Sequence, residues 1–130
     1  MIYLDSSALV KLALAESESG ALVSYLGQRQ GQAIVSSTLH RAEVLRAIWR
    51  SEPGALPRAQ RIIRRVSLVS LSHEMLDNAA TQAPAGLGTA AAIHLVSALT
   101  IKRDLTAFVS YDQQLLEAAE GAGLPVASPA

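Results

Sequence analysis

The sequence predicts an α/β fold in which a central parallel sheet of four to five strands is flanked by helices. Two short apolar runs, Ile2-Tyr3-Leu4-Asp5 and Ala107-Phe108-Val109-Ser110-Tyr111-Asp112, each end in an aspartate and then turn helical. Buried parallel strands read as continuous apolar runs of this kind. Strand-like and helix-like segments also alternate along the whole chain, the pattern of a parallel sheet covered by helices. Half of the 130 residues are hydrophobic, so a real core is feasible. A chain of this length reads as one domain, residues 1–130, able to bury roughly two-thirds of its unfolded surface.

The elements follow in order. Ile2 to Leu4 is the first strand; helices are expected from about Ser6 to Leu14 and from about Ser19 to Gln30. Ala33 to Ser36 reads as a second strand. Thr38 is placed to cap a helix that carries Leu39, Ala42, Leu45, Ile48 and Trp49 on one face. Pro53-Gly54 ends that helix, and Pro57 opens a basic one through Val66. Ser67 to Leu71 is the third strand, and Ser72 caps a helix near Glu74 to Gln82. Ala85 to Gly88 is a loop, and Thr89 starts a long helix to about Arg103. Thr106 to Ser110 is the fourth strand. A helix follows Asp112 and ends near Gly121 or Gly123, and Val126 adds a short edge strand.

Composition excludes several classes. There is no cysteine, so disulfides and thiolate metal sites are out, and a reducing, cytoplasmic setting fits. The chain enters a strand at once, without the basic and apolar regions of a signal peptide. The longest greasy stretch, Ala85 to Ile101, is too short and too rich in Ala, Gly and Thr to span a bilayer. Net charge is zero, against general polyanion binding, yet Arg41, Arg46, Arg50, Arg58, Arg61, Arg64 and Arg65 fall in one segment. Such clustering offers phosphates a local basic surface, with Arg61, Arg64 and Arg65 the candidate RNA-binding set; the alternative is a pair of solvated helix faces. One Phe, one Trp and three Tyr argue against base stacking on a platform.

Ligands of open α/β sheets collect beyond the carboxyl ends of the strands, so one parallel sheet would bring Asp5 and Asp112 to the same edge. Converging carboxylates repel unless a cation sits between them, and oxygen-only ligands suit Mg²⁺ or Mn²⁺. Taken singly, each aspartate is equally a helix cap; the duplication favours an acidic metal site. Glu43, one helical turn past the second strand, stands where a third ligand reaches in, although alone it would pass for an exposed acid paired with Arg46 or Arg50. Ser6 and Ser110 are placed to hydrogen-bond carboxylates.

Met1-Ile2-Tyr3-Leu4-Asp5-Ser6-Ser7-Ala8-Leu9-Val10-Lys11 resembles the opening of PIN-domain nucleases, in particular the VapC toxins of bacterial toxin–antitoxin modules. The resemblance continues through Arg41-Ala42-Glu43-Val44, then Ala92-Ile93-His94-Leu95-Val96-Ser97-Ala98-Leu99. It closes with Phe108 to Leu115 and Gly123-Leu124-Pro125-Val126. It implies a PIN-like three-layer sandwich and a Mg²⁺- or Mn²⁺-dependent endoribonuclease, with Asp5, Glu43 and Asp112 as acids of the metal centre. It also implies a VapB-type antitoxin partner, an RNA substrate, and a homodimer or a hetero-oligomer with the antitoxin, away from any membrane.

The departure is Ala91. Members of the family usually carry an aspartate immediately before the Ala-Ile-His-Leu stretch, and here Ala91 marks the position of a missing carboxylate ligand. No nearby acid stands in, since Asp104 lies some three to four helical turns away. Natural loss and a deliberate Asp-to-Ala change both account for it. The second is favoured, because removing one ligand tames a toxic nuclease. Either way an impaired copy is implied, and His94, three residues on, reads as a supporting residue. Two other readings stay open: a non-catalytic pseudo-nuclease that binds antitoxin or RNA, and a haloacid-dehalogenase-like phosphotransferase. The latter normally has a second aspartate where this chain has Ser7.

Overall fold

A computed structural model describes residues 1–130, with β1 (Ile2–Leu4) as the middle strand of a five-stranded sheet. β1 leads into α1 (Ser6–Ala13) and α2 (Ser19–Gly27), and β2 (Ile34–Ser37) into α3 (His40–Ser51). A 3₁₀ turn at Pro53–Ala55 precedes α4 (Leu56–Ile63), β3 (Ser67–Val69) and α5 (His73–Ala80). α6 (Thr89–Thr100) is followed by a 3₁₀ turn at Lys102–Asp104, then β4 (Ala107–Val109), α7 (Gln113–Gly121) and β5 (Val126–Ala127).

All strand pairs are parallel, in the order β3-β2-β1-β4-β5. The chain winds outward from β1 through β2 to β3, crosses back, and winds outward again through β4 to β5. The reversal falls between β1 and β4, where Ile2 is in register with Ala107 and Leu4 with Val109. Such a switch point opens a crevice beyond the strands' carboxyl ends. Asp5 follows β1 there, and Ser110 to Asp112 follow β4.

Alternation along β1 splits the core in two. Ile2 and Leu4 face Leu9 of α1, Leu22 of α2, Val44 and Ile48 of α3, and Ile63 of α4. Tyr3, with Phe108 of β4, faces Leu95 and Ala98 of α6 and Leu115 and Ala119 of α7. α5 packs on α6 through Ala79, Ala92 and Val96. The result is the expected three-layer sandwich. No helix is long and apolar enough to cross a membrane.

The elements stand where the sequence predicts them, with shorter ends. α2 stops at Gly27 rather than near Gln30, β3 at Val69 rather than Leu71, and α6 at Thr100 rather than near Arg103. Thr38 does not cap α3: its hydroxyl donates to Val69 O at 3.2 Å, tying the end of β2 to β3. The buried face of α3 is His40, Val44 and Ile48, whereas Trp49, expected in the core, is 58% exposed.

Candidate active site at the carboxyl edge of the sheet

Asp5 is the N-cap of α1 and only 3% exposed. Its Oδ1 accepts from Ser7 Oγ at 2.6 Å and from Ala8 N at 3.0 Å, and its Oδ2 accepts from Ser110 Oγ at 2.6 Å. Burial raises its carboxyl above the ordinary value, and these donors, with no cationic side chain in contact, offset that only in part. Ser110 Oγ in turn accepts from Asp112 N at 3.0 Å, and Ser7 Oγ from Tyr111 N at 2.9 Å. Two hydroxyls therefore clip the start of α1 to the β4–α7 junction. Asp112 is exposed, and its Oδ1 caps α7 by accepting from Gln114 N at 3.0 Å and Leu115 N at 3.2 Å.

Glu43 is held from two other elements. Ser6 Oγ donates to its Oε1 at 2.6 Å, and His94 Nε2 lies 2.6 Å from the same oxygen. Burial pushes this carboxyl up, but the bonds from His94 and Ser6 outweigh it and leave Glu43 below its ordinary value. Behind His94 stands Tyr3, whose hydroxyl lies 2.7 Å from His94 Nδ1 and accepts from Ser37 N at 3.0 Å. With one lone pair taken by Ser37, we assign the tyrosine proton to Nδ1, which leaves Nε2–H to donate to Glu43. Burial also pushes the phenol far above its usual range, so it stays a donor. His40, one turn before Glu43, donates from Nδ1 to Ser37 O at 2.8 Å, and its buried Nε2 has no partner.

The structure thus joins Asp5, Ser110 and Asp112 in one chain of hydrogen bonds, and Ser6, Glu43 and His94 in another. Ala91 precedes His94 by three residues on α6, so the two share a face one turn apart. Its side chain, partly buried, packs against the core cluster that contains Tyr3 and Leu95. Tyr3, Ser7, Ser37 and His40 went unnoticed in the sequence. Tyr3 carried the one available signal, a hydroxyl inside an apolar strand that must find a buried partner.

Oxygen donors at this edge have the chemistry for Mg²⁺ or Mn²⁺. As arranged, however, they do not fit such an ion, because no group of three or more acidic or histidine side chains stands close enough to hold one. Glu43 is turned toward Ser6 and His94, and Asp112 onto the amides of α7.

The basic residues divide differently from expectation. Arg61 and Arg65 come together with Arg58, and Arg64 is not among the residues lining that pocket. Arg58 Nε donates to Leu12 O at 3.2 Å, at the far end of α1 from Asp5. An eight-residue helix puts about 12 Å between those ends.

The chain matches the PIN domain family over residues 2–121. It is 40% identical to "Ribonuclease VapC47" of Mycobacterium tuberculosis, over 99% of this chain and 97% of that protein. Among solved structures it resembles M. tuberculosis VapC20, described as a Sarcin-Ricin loop cleaving toxin. The TM-score is 0.75 at 14% identity, over 99% of this chain and 100% of that one. It likewise resembles a chain of VapBC2 from Rickettsia felis, solved bound to a DNA fragment from their promoter. There the TM-score is 0.70 at 13% identity, over the full length of both chains.

Proposed function

The chain belongs to the PIN-domain family, in its VapC branch, and we propose that it is the ribonuclease toxin of a toxin–antitoxin module. The observation that carries this is the delivery of Asp5 and the Ser110–Asp112 segment to the switch point of the sheet, with Glu43 brought alongside through Ser6. The near-full-length likeness to a curated ribonuclease supports it. Family membership sets the phosphotransferase reading aside.

In this reading the residues have distinct tasks. As arranged the acids do not hold an ion; brought together with a fourth carboxylate at position 91, Asp5, Glu43 and Asp112 would form a Mg²⁺- or Mn²⁺-dependent centre. The chemistry a divalent ion would supply there is activation of a water and charge compensation at the scissile phosphate. Ser110 fixes the orientation of Asp5, while Ser6 and His94 fix that of Glu43. Arg61, Arg64 and Arg65 serve RNA farther from the acids. The partner is a VapB-type antitoxin, and the assembly is a homodimer or a hetero-oligomer with it. With alanine at position 91 the present chain is impaired, and its acids turn to neighbouring donors instead.

That last point also favours the second reading, a pseudo-nuclease kept for its grip on antitoxin or RNA. One assay separates the two. Ala91→Asp should confer growth arrest and Mg²⁺-dependent RNA cleavage, the cleavage lost in excess EDTA, whereas the present chain should show neither at comparable levels. Equal cleavage with EDTA would overturn the metal-dependent reading. No cleavage by a folded Ala91→Asp protein would favour the pseudo-nuclease.

A further inference from the structure

Trp49 is one of four large hydrophobic side chains, with Val23, Leu68 and Leu76, that the core leaves exposed. It is the only tryptophan in the chain and, at 58% exposed, the most open of the large hydrophobic residues. An isolated surface apolar residue needs no explanation, but Trp49 is not isolated. Arg46 lies three residues before it and Arg50 one after, so on the helix Arg46 has Trp49 and Arg50 as its i+3 and i+4 neighbours. Both arginines are exposed, and neither makes an ion pair; the acids that do pair are engaged with Lys11 or His94. Glu43, Arg46 and Arg50 fall at i, i+3 and i+7, a single stripe of α3. The outer face of α3 therefore carries two free guanidinium groups and a flat aromatic ring, beginning at Glu43 and reaching about 10.5 Å along the helix.

Unpaired arginines interleaved with an aromatic ring match what an unpaired nucleic-acid strand offers, phosphates with a base face between them. A second copy of the chain suits this face poorly. A two-fold contact applies the same patch to itself, which would set Arg46 and Arg50 against their own counterparts.

We propose that the exposed face of α3 is a docking track for single-stranded RNA, with Arg46 and Arg50 on consecutive phosphates and Trp49 stacked on a base. The track leads the strand to Glu43, and in that direction it rests on the ribonuclease reading above. It requires only one stacked base, which the scarcity of aromatics in the composition permits.

Because Trp49 is the sole tryptophan, its emission reports on this face directly. The test titrates the unmodified chain with a short oligouridylate in EDTA, where no metal-dependent cleavage interferes. Emission should be quenched saturably, and binding should weaken with rising salt. Trp49→Ala, followed by anisotropy of a labelled oligouridylate, should weaken binding about five- to 150-fold, the range one stacked base commands, with Trp49→Tyr retaining most of the affinity. Arg46→Gln with Arg50→Gln should lower the log–log salt slope by about 1.4, or about 0.7 per lost phosphate contact. Binding without quenching, or no binding at all, would overturn the proposal. So would emission that shifts on diluting the protein alone, the signature of a second copy covering Trp49. Cleavage by Ala91→Asp together with unquenched Trp49 would sink the track alone. Quenching without cleavage would sink the ribonuclease reading and leave the track.

Discussion

Asp5 concentrates the electrostatic problem of this site. It is a buried carboxylate held only by two hydroxyls and a backbone amide, and burial leaves its carboxyl raised. The folded protein then holds this proton more tightly than the unfolded chain, so stability falls as pH rises from the ordinary value of 3.8 through the folded one. Asp5→Asn keeps a competent cap and removes the charge. Thermal melts across pH should find the variant more stable at neutral pH, with the two proteins converging as pH falls toward 3.8. A parent more stable than Asp5→Asn at neutral pH would mean that the charge is better solvated than its burial implies. Glu43 has the opposite sign, because His94 and Ser6 favour its ionised form. The three acids were legible in the sequence because each ends or closely follows a strand-like run. Tyr3 and Ser7 were not, since a hydroxyl within an apolar or helix-start pattern does not reveal which buried group it meets.

Among the elements, α1 and α7 are coupled more tightly than their separation of over a hundred residues suggests. Ser110 Oγ donates to the cap of α1 and accepts from the cap residue of α7, so one hydroxyl serves both helix starts. Ser110→Ala would leave Asp5 Oδ2 and the Asp112 amide without their partner, at a cost of about 1 to 3 kcal/mol in urea unfolding. A change below a few tenths of a kcal/mol would mean that water replaces the hydroxyl without loss. Both aspartates prove to be helix caps, so the bland reading of each is correct as local structure and leaves the metal reading to be tested. α3 is where pattern reading went astray. Two stripes compete on it, and the one that contains His40 reads as polar, so the pattern points to the Trp49 stripe as the buried one. The fold buries His40 instead, because its Nδ1–H reaches Ser37 O.

For the molecule as a whole, alternating apolar strand-like and helix-like segments point to a parallel sheet covered by helices, whereas the strand order emerges only in the structure. That is why the α/β fold was readable throughout while element ends moved by a few residues. What the sequence could not resolve is convergence. It placed three acids at one edge, but Glu43 is turned onto Ser6 and His94 and Asp112 onto the amides of α7, and no three acidic or histidine side chains form one cluster. In the proposed reading position 91 completes a metal centre, and paired thermal melts of this chain and Ala91→Asp, with EDTA and with millimolar Mg²⁺, decide it. In EDTA the present chain should melt at least as high, since a fourth carboxylate adds repulsion. Mg²⁺ should reverse the order, because a ligand bound only by the folded state adds RT ln(1 + [L]/Kd), about 2.7 kcal/mol at a hundredfold excess over Kd. Equal Mg²⁺-induced shifts in the two proteins would contradict the account and remove position 91 from the site.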